Sequence, residues 1–468
     1  MSKLNLANFD KSKAVHFIGI AGIGMSSIAE TMKSLDYEVQ GSNNIENENM
    51  ASLRAKGIKA FIGHRASNLD GAGAVVYSNA IANTNVELLS AKSMGLPLIE
   101  RAEMLDALMR LKKGISIAGT HGKTTTTSFV GTMLDIAGLK PTIINGGVMN
   151  YYGSHNRIGE GDWLVAETCE AFGNLDKFTP TIAVITNIDA EHLDFYSTFE
   201  NVKNTFENFI KRTPKGGLVV LCADHPTTRE LADKYKGEKT ILTYGLTGGD
   251  IRAENIRREN FSQTFDVIIK GEKIADVMIP IAGAHNIQNA LVAFAIAHFL
   301  GVSHEKMKEA AAKFLGVKHR FTLVGETKNG IEIYDDYAHH PKEIEATLTM
   351  ARSVVKPGTK IFALFEPHRY SRLTDLFHEF SECFKLADGV IVFPVYSAGE
   401  AAHGMKNEKD ILDAVQKSTQ TFPAGNIYDA AQILKRHTRA GDMVISFSAG
   451  AIKEQVALLP ELLNANKD

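Results

Sequence analysis

The stretch GISIAGTHGKTTTT at residues 114–127 is the clearest indication of the fold class of this chain. Its apolar run Ile115 to Ala118 is typical of a buried strand, and an apolar helical pattern follows from Phe129 to Ala137. Gly119 and Gly122 stand between the two patterns, where glycine indicates a tight turn. Strand, glycine turn and helix in this order predict one βα unit of a parallel sheet, and therefore the α/β class.

The same stretch also has the chemistry of a phosphate loop. Glycines let the backbone curl so that its N–H groups point at phosphates, Lys123 supplies a positive charge, and the hydroxyl of Thr124 suits Mg²⁺. Two residues separate Gly119 from Gly122, whereas the common pattern GxxxxGK[ST] has four residues between its glycines. ATP is the predicted occupant, and a plain turn is the alternative.

Similar units recur outside this stretch, and they predict the domain organisation. A strand at Ala14 to Ile20 precedes a helical pattern at Met25 to Leu35, and another strand, Lys360 to Phe365, precedes Pro367. A length of 468 residues favours about three domains. We therefore predict three α/β domains at residues 1–107, 108–318 and 319–468.

Composition excludes several classes of protein. Apolar residues make up 44% of the chain and charged residues 22%, which is typical of a globular protein rather than a disordered one. The net charge of −3, with scattered basic residues, gives no footprint for nucleic acid or an anionic membrane. A signal peptide, a membrane-spanning run, a disulfide framework and a zinc site are not indicated. These features predict a cytoplasmic protein.

The first glycine-rich turn, HFIGIAGIGMS at residues 16–26, also joins a strand to a helix. Its spacing is GxxGxG rather than GxGxxG, and the following strand ends in Ser42-Asn43 instead of an acidic residue that would take a ribose hydroxyl. NAD is therefore disfavoured. A phosphate at the start of the helix and a turn that needs glycine for packing alone both remain open.

Acidic and imidazole groups follow two strands of the central segment. Glu167 ends the strand that begins at Trp163, and His192 lies shortly after the strand Thr181 to Thr186. The carboxyl ends of parallel strands meet at one edge, so both groups are candidates for a metal site beside the phosphate loop. Capping or surface hydrogen bonding is the alternative.

Two further clusters carry recognition chemistry. Asn286 and Asn289 open a long apolar helix, where an amide can read an adenine edge, although N-capping by Asn286 is the alternative. Basic, aromatic and acidic groups crowd the stretches DDYAHHP at 335–341 and FEPHRYSR at 365–372. Arginine suits a carboxylate or a phosphate, and a solvated basic face is the alternative.

These motifs together resemble the Mur ligase family. The stretches HFIGIAGIGMS, GTHGKTTTT, TNIDAEHLD, GAHNIQNA, DDYAHHP and FEPHRYSR follow the family's order over nearly the whole chain. The resemblance implies an N-terminal Rossmann-like domain for a UDP-sugar, a central ATPase domain of the P-loop type with a mostly parallel sheet, and a C-terminal Rossmann-like domain for an amino acid. Within the family it implies ATP-dependent joining of L-alanine to UDP-N-acetylmuramic acid, in peptidoglycan precursor synthesis.

The resemblance also implies a role for each matched residue. The implied catalytic residues are Lys123, Glu167, His192 and Arg320. The implied ATP contacts are Gly119, Thr120, His121, Gly122, Lys123, Thr124, Thr125, Asn286, Asn289, Arg320 and Asp335, and the metal ligands are Thr124, Glu167 and His192. The implied UDP-sugar contacts are Gly22, Gly24, Met25, Ser26, Ser42, Asn43 and Ser78, and the amino-acid contacts are Tyr337, His339, His368, Arg369 and Arg372.

The implied cofactors are ATP and Mg²⁺, with Mn²⁺ as an alternative metal, and the expected assembly is a monomer or a homodimer. Neither nucleic acid nor a membrane is an expected partner. Two other functions stay open: a recycling ligase that adds a preformed tripeptide to the same UDP-sugar, and a nucleotide-binding relative without turnover.

Overall fold

The computed structural model describes residues 3–465, except for the side chain of Asp194. Strands in this part of the chain form three sheets, and helices alternate with most parallel strands, which confirms the α/β class. The chain divides into two compact units: Met1–Pro280 with Asn286–Gly316, and Ile281–His285 with Val317–Asp468. The first unit contains two of the sheets and the second unit contains the third. The predicted domain boundaries after residues 107 and 318 stay predictions.

The first sheet has the strand order β3-β2-β1-β4-β5, with all neighbours parallel. Its strands are β1 (Ala14–Ile18), β2 (Val39–Asn43), β3 (Lys59–Ile62), β4 (Ala72–Tyr77) and β5 (Leu98–Glu100). Its helices are α1 (Ile23–Ser34), α2 (Glu48–Ala55), α3 (Val86–Ser93) and α4 (Arg101–Arg110). This is the predicted Rossmann-like order, and the direction of winding reverses between β1 and β4, where such sheets bind ligands.

The second sheet has the order β15-β14-β13-β12-β11-β10-β6-β9-β7-β8. Its strands are β6 (Lys113–Ala118), β7 (Thr142–Met149), β8 (Ser154–Arg157), β9 (Trp163–Glu167), β10 (Ile182–Ile185), β11 (Leu218–Cys222), β12 (Thr240–Gly245), β13 (Ile251–Glu259), β14 (Ser262–Ile269) and β15 (Glu272–Ile279). Its helices are α5 (Lys123–Ile136), α6 (Leu193–Tyr196), α7 (Phe199–Arg212), α8 (Pro226–Tyr235), α9 (Ala284–Phe299) and α10 (His304–Ala312). Antiparallel pairs stand at both edges and parallel pairs in the middle, as a mostly parallel sheet requires.

The third sheet has the order β16-β17-β21-β18-β19-β20. Its strands are β16 (Thr322–Glu326), β17 (Glu332–Asp336), β18 (Ile361–Phe365), β19 (Gly389–Val392), β20 (Gln420–Pro423) and β21 (Met443–Phe447). Its helices are α11 (Pro341–Val354), α12 (Tyr370–Asp375), α13 (Phe377–Glu382), α14 (Glu408–Val415), α15 (Ile427–His437) and α16 (Leu459–Asn464). β16 pairs antiparallel with β17 and the other neighbours are parallel.

The central strands are short apolar runs because helices cover both faces of a parallel sheet. All residues of β10 and β11 are buried, and so are Ile115 and Ile117 of β6. Polar groups are consequently left to the strand ends, where the motifs lie. In residues 3–465 the structure has no helix of the length and apolar character that crossing a membrane requires.

Candidate active site

The turn between β6 and α5 requires glycine at two positions. Gly119 has φ +129°, and a Cβ there would lie 2.1 Å from Thr186 Oγ1. Gly122 has φ +80° and is the N-cap of α5, and a Cβ there would lie 2.9 Å from the side-chain oxygen of Asn289. Both glycines therefore combine a left-handed backbone with close packing, which lets the loop curl against its neighbours.

Residues after β10 hold this loop in place. Asn187 accepts hydrogen bonds from the backbone N–H of Thr120 (3.1 Å) and of His121 (2.8 Å). The hydroxyl of Thr186 donates to the His121 carbonyl at 2.6 Å, and Thr120 accepts from the Asp189 N–H at 2.9 Å. The predicted ATP contacts Thr120 and His121 are thus fixed by the neighbouring strand end.

Lys123 is the first residue of α5 and turns back over the loop. Its Nζ donates to the carbonyls of Gly119 (2.5 Å) and Thr120 (3.0 Å), and it pairs with Glu170 at 3.2 Å. Burial by itself lowers the pKa of Lys123, but the charge of Glu170, with other carboxylates, outweighs it and raises that pKa above the ordinary value. The loop therefore contains a permanent positive charge, as anion binding requires.

Glu170, Glu191 and His192 form the group with metal-ligating geometry, because one ligand atom from each lies within 4.8 Å of the others. Carboxylate oxygens are the ligands that Mg²⁺ prefers, and an imidazole nitrogen also suits Mn²⁺. Of the predicted ligands, His192 belongs to this group, whereas the Glu167 carboxylate accepts a hydrogen bond from the Gly146 N–H at 3.0 Å.

Sequence reasoning therefore missed Glu170 and Glu191 as site residues. The available signal was weak: each is an acidic residue close in sequence to a predicted ligand, Glu167 or His192. Thr124 lies in the first turn of α5 and is buried. The metal roles of Glu167 and Thr124 stay predictions.

The two predicted adenine contacts lie at the start of α9. This helix begins at Ala284, so Asn286 stands inside its first turn, and the alternative that Asn286 caps the helix is wrong. Asn289 donates to the side-chain oxygen of Asn286 at 3.4 Å and accepts from the Thr126 hydroxyl at 3.0 Å. Asn289 consequently links α9 to α5, which also carries Thr125.

The first glycine turn is built differently. Gly22 is the N-cap of α1, and a Cβ on Gly24 would lie 2.8 Å from Arg101 Nη1. Met25 is buried, and the hydroxyl of Ser26 lies 3.0 Å from His155 Nε2. An arginine and a histidine therefore stand beside this turn, in place of the lysine of the phosphate loop.

The other predicted UDP-sugar contacts lie at neighbouring strand ends. Ser42 is buried in β2 and its hydroxyl donates to Glu87 at 2.5 Å. Asn43 donates to the Ile45 carbonyl at 2.8 Å, and Ser78 directly follows β4. Because β1, β2 and β4 are parallel, the structure brings these residues to the edge that carries the glycine turn.

In the second unit, the predicted amino-acid contacts gather at the carboxyl ends of β17 and β18. The ring centroids of Tyr337 and His339 are 5.3 Å apart, and those of His339 and His368 are 5.8 Å apart. Arg372 donates to the His368 carbonyl at 3.3 Å. The ring of His368 also stacks on that of Tyr396, with the ring centroids 5.4 Å apart. Tyr396 follows β19, and sequence reasoning missed it.

The side chains around His368 include hydrogen-bond donors that suit an anion. The pKa of His368 is lowered to about 4, first by burial and then by His339 and Arg372, so its ring is neutral at pH 7. Arg369 has φ +72°, is exposed, and lies 4.0 Å from Glu400. Arginine and neutral imidazole donors side by side suit a carboxylate.

Arg320 and Asp335 lie near this cluster. The Arg320 guanidinium lies 5.3 Å from the ring centre of Tyr337, and Asp335 is buried in contact with His319. The predicted contacts of Arg320 and Asp335 with ATP stay predictions.

Three models of one family match successive parts of the chain. The Mur ligase family catalytic domain matches residues 14–113, the Mur ligase middle domain matches residues 117–297, and the Mur ligase glutamate ligase domain matches residues 319–450. Together they extend over most of the chain, in the order of the three sheets.

Individual proteins are similar over nearly the same span. The UDP-N-acetylmuramate--L-alanine ligase of Chelativorans sp. (strain BNC1) is 46% identical over 460 residues, which are 96% of this chain and 98% of that protein. The structure of UDP-N-acetylmuramate-alanine ligase MurC from Thermotoga maritima matches with a TM-score of 0.81 and 29% identity, covering 96% of this chain and 98% of that one. A murein peptide ligase from Psychrobacter arcticus 273-4 matches at 0.70 and 23% identity, covering 97% and 100%, which shows the fold alone.

Proposed function

The chain belongs to the Mur ligase family, and from this premise we propose that it joins L-alanine to UDP-N-acetylmuramic acid with cleavage of ATP to ADP and phosphate. The observation that carries the proposal is 46% identity, over 96% of the chain, to a protein named for this reaction. The phosphate loop with Lys123 and the basic cluster around His368 supply chemistry for a phosphate and for an amino-acid carboxylate.

The reaction has two balanced steps. A carboxylate oxygen of the UDP-sugar attacks the γ-phosphorus of ATP, the bond to the bridging oxygen breaks, and ADP leaves with its electron pair. The amine of alanine then attacks the acyl carbon, loses a proton to water, and displaces phosphate. Both steps bring negative groups together, so a permanent cation that is already in position lowers their barriers.

Lys123 is that cation in our proposal. Its pKa is raised above the ordinary value, mainly because the charge of Glu170 outweighs the effect of burial, so it stays protonated at all physiological pH values. The backbone N–H groups of the loop and the start of α5 add further partial positive charge for the β- and γ-phosphates.

The group Glu170, Glu191 and His192 fits Mg²⁺, or Mn²⁺ as an alternative. It offers carboxylate oxygens and an imidazole nitrogen, and one ligand atom from each residue lies within 4.8 Å of the others. An ion held by these residues would neutralise charge on phosphate oxygens. Thr124 and Glu167 are further proposed ligands. We place the enzyme in the cytoplasm, where ATP and nucleotide sugars are made, as a monomer or a homodimer.

The test is ADP release by the full-length protein with Mg-ATP and UDP-N-acetylmuramic acid. Three parallel reactions receive L-alanine, L-Ala-γ-D-Glu-meso-diaminopimelate or no acceptor, and mass spectrometry identifies the product. The proposal requires turnover with alanine and a product heavier by one alanyl unit. Turnover with the tripeptide alone would assign the recycling reaction instead, and no ADP release in any reaction would leave a binding function.

A further inference from the structure

A buried carboxylate organises the carboxyl edge of the first sheet. Glu87, in the first turn of α3, is fully buried and accepts hydrogen bonds from the Ser42 hydroxyl (2.5 Å) and the Asn68 amide (2.6 Å). His16 Nε2 and His64 Nδ1 each lie 3.2 Å from the same carboxylate. We call these five residues the Glu87 cluster.

The fold by itself does not require such a cluster. Burying a carboxylate and its polar partners costs more than packing apolar residues of similar volume, so an ionic cluster in a small sheet is weak evidence for stability. The cluster also lies at a strand edge where ligands bind, rather than in the middle of the sheet. The free-energy cost of burying the Glu87 cluster is explained if the cluster holds in place groups that contact a ligand.

The cluster is connected to the first glycine turn and to the end of β3. The carbonyl of Ser42 accepts hydrogen bonds from the backbone N–H of Gly19 (2.8 Å) and Ile20 (2.9 Å), so one residue contacts both Glu87 and the turn. The backbone N–H of Gly63 donates to the Asn43 carbonyl at 2.8 Å. The cluster therefore lies among the predicted UDP-sugar contacts.

His64 is the member of the cluster that reaches the surface. Its side chain is 13% exposed, whereas the side chains of Glu87 and His16 are fully buried. Its backbone is fixed on both sides, because Asn68 donates to the Gly63 carbonyl at 2.9 Å and the Arg65 N–H donates to Glu87 at 3.2 Å. His64 is consequently presented in one orientation.

The ring of His64 has an inner and an outer nitrogen. Nδ1 faces Glu87 and the Ser42 hydroxyl, which lies 2.8 Å away. Nε2 makes no hydrogen bond within residues 3–465. A carboxylate that accepts from Nδ1–H leaves Nε2 with a lone pair, so the outer nitrogen of the neutral ring is a hydrogen-bond acceptor.

NAD-binding sites of this sheet type use such an acceptor. In dinucleotide-binding sheets, an acidic residue after β2 accepts the hydrogen bond of a ribose hydroxyl. Here Ser42-Asn43 stands at the end of β2, and neither side chain is acidic. We propose that His64 Nε2 takes this role and accepts a hydrogen bond from the ribose 2′-hydroxyl of the uridine nucleotide, with Glu87 and Ser42 as positioning residues. The inference rests on the proposed function, which supplies a uridine nucleotide as the ligand.

The test compares UDP with 2′-deoxy-UDP by calorimetry on the full-length protein. Loss of one hydrogen bond of ordinary strength corresponds to about a tenfold loss of affinity, so the wild type should prefer UDP by that factor. His64→Ala should bind both nucleotides equally, with UDP weakened about tenfold. His304→Ala, which changes a partly exposed histidine of α10, is the matched control and should keep the wild-type preference.

Positioning residues are tested by steady-state kinetics. Glu87→Gln and Ser42→Ala should raise the KM for UDP-N-acetylmuramic acid several-fold while kcat stays within about twofold, because orientation of the acceptor affects binding rather than chemistry. Ser42→Ala removes a single hydroxyl, so this variant still tests the positioning role if Glu87→Gln does not fold.

Each outcome separates the two proposals. A wild-type protein that binds neither UDP nor UDP-N-acetylmuramic acid overturns the proposed function itself. A wild type that binds UDP and 2′-deoxy-UDP equally, or a His64→Ala variant that retains the wild-type preference for UDP, overturns the inference alone. If Ser42→Ala changes kcat and KM to the same extent for all substrates, the Glu87 cluster has only a structural role, and its positioning role is overturned.

Discussion

Two glycine turns of this protein have the same local architecture and different chemistry. In the first, β1 leads through Gly19 and Gly22 into α1, and in the second, β6 leads through Gly119 and Gly122 into α5. Each turn presents the start of a helix at the carboxyl edge of a parallel sheet. The backbone alone therefore does not determine which ligand either turn receives.

Residues at the ends of neighbouring strands make the two turns chemically different. Beside the second turn, Lys123 is paired with Glu170, and the group Glu170, Glu191 and His192 offers ligands for a cation. Beside the first turn, the buried Glu87 accepts hydrogen bonds from uncharged side chains, and no lysine follows the glycines. The second turn suits a phosphoryl group that reacts, and the first suits a nucleotide that is only held.

The largest expected effect comes from removing the cation of the second turn. Lys123→Met should lower kcat/KM for ATP by about 1000-fold or more, because a charge at the phosphate loop stabilises the transition state. Lys140→Met, at an exposed ion pair with Glu160, is the control and should leave turnover unchanged. ADP release measures both variants, and a Lys123→Met enzyme within tenfold of wild type would remove the contrast between the two turns.

The acidic partner of Lys123 should have the next largest effect. Glu170→Gln removes one charge from both the ion pair and the metal group, so we expect kcat to fall about 100-fold and the half-saturating Mg²⁺ concentration to rise. Glu160→Gln, on the exposed carboxylate that pairs with Lys140, is the control. An unchanged Mg²⁺ titration would exclude Glu170 as a ligand.

The two turns should also differ in their tolerance of a methyl group. Gly19 has φ +77°, and its added Cβ would meet Ile81 at an ordinary 3.4 Å, so Gly19→Ala should cost about 1 kcal/mol of unfolding free energy from backbone strain alone. At Gly119 a positive φ of +129° is joined by a contact of 2.1 Å with Thr186, and the cost should be clearly larger.

Gly138→Ala separates strain from contact in this experiment. Gly138 has φ +92° and open space around its Cβ position, so the variant should resemble Gly19→Ala in a urea titration. If Gly119→Ala is no less stable than these two, the packing of the phosphate loop against β10 contributes little.

Sequence predicted the local chemistry of both turns but not their partners. Glycines, Lys123 and the threonine run stand in one stretch, and the alternation of strands and helices identified the α/β class without structural information. Glu170 is 47 residues from Lys123 in the chain, and the pair exists because β6 and β9 are neighbours in the sheet. A pattern read along the chain does not contain that adjacency.

The same reason explains the other omissions. Glu87 collects side chains that are 71, 45 and 19 residues away, from His16, Ser42 and Asn68. Tyr396 meets His368 because β18 and β19 pair in register. Helix limits were also uncertain from sequence: the apolar pattern at Asn286 left a cap open, and the observed start at Ala284 excludes it.

The smallest expected effect is a difference in how the two turns respond to pH. Burial by itself raises the pKa of Glu87, but hydrogen bonds from His16, Ser42 and Asn68 outweigh it and lower the pKa to about 2 from the ordinary 4.5. Between these values the unfolded chain binds more protons than the folded one, so the stability that Glu87 contributes is present above pH 4.5 and is lost as the pH falls towards 2. Lys123 has a raised pKa, so its contribution is present below its ordinary pKa of 10.5 and is lost only as the pH rises further.

Amide hydrogen exchange on peptides from β2 and β3 measures the acid side of this contrast. Glu87→Gln has no carboxylate to protonate, so the stability difference between wild type and variant should shrink by about 1 kcal/mol when the pH falls from 5.5 to 3.5. Peptides from β6 and α5 serve as the internal control, because Lys123, the cation of the second turn, titrates only at alkaline pH. A wild-type advantage in β2 and β3 that grows as the pH falls over this range would mean that Glu87 already carries a proton in the folded protein at pH 5.5, and the first turn would then be held by a neutral cluster rather than a charged one. A constant advantage would mean that the pKa of Glu87 is the same in the folded and the unfolded chain.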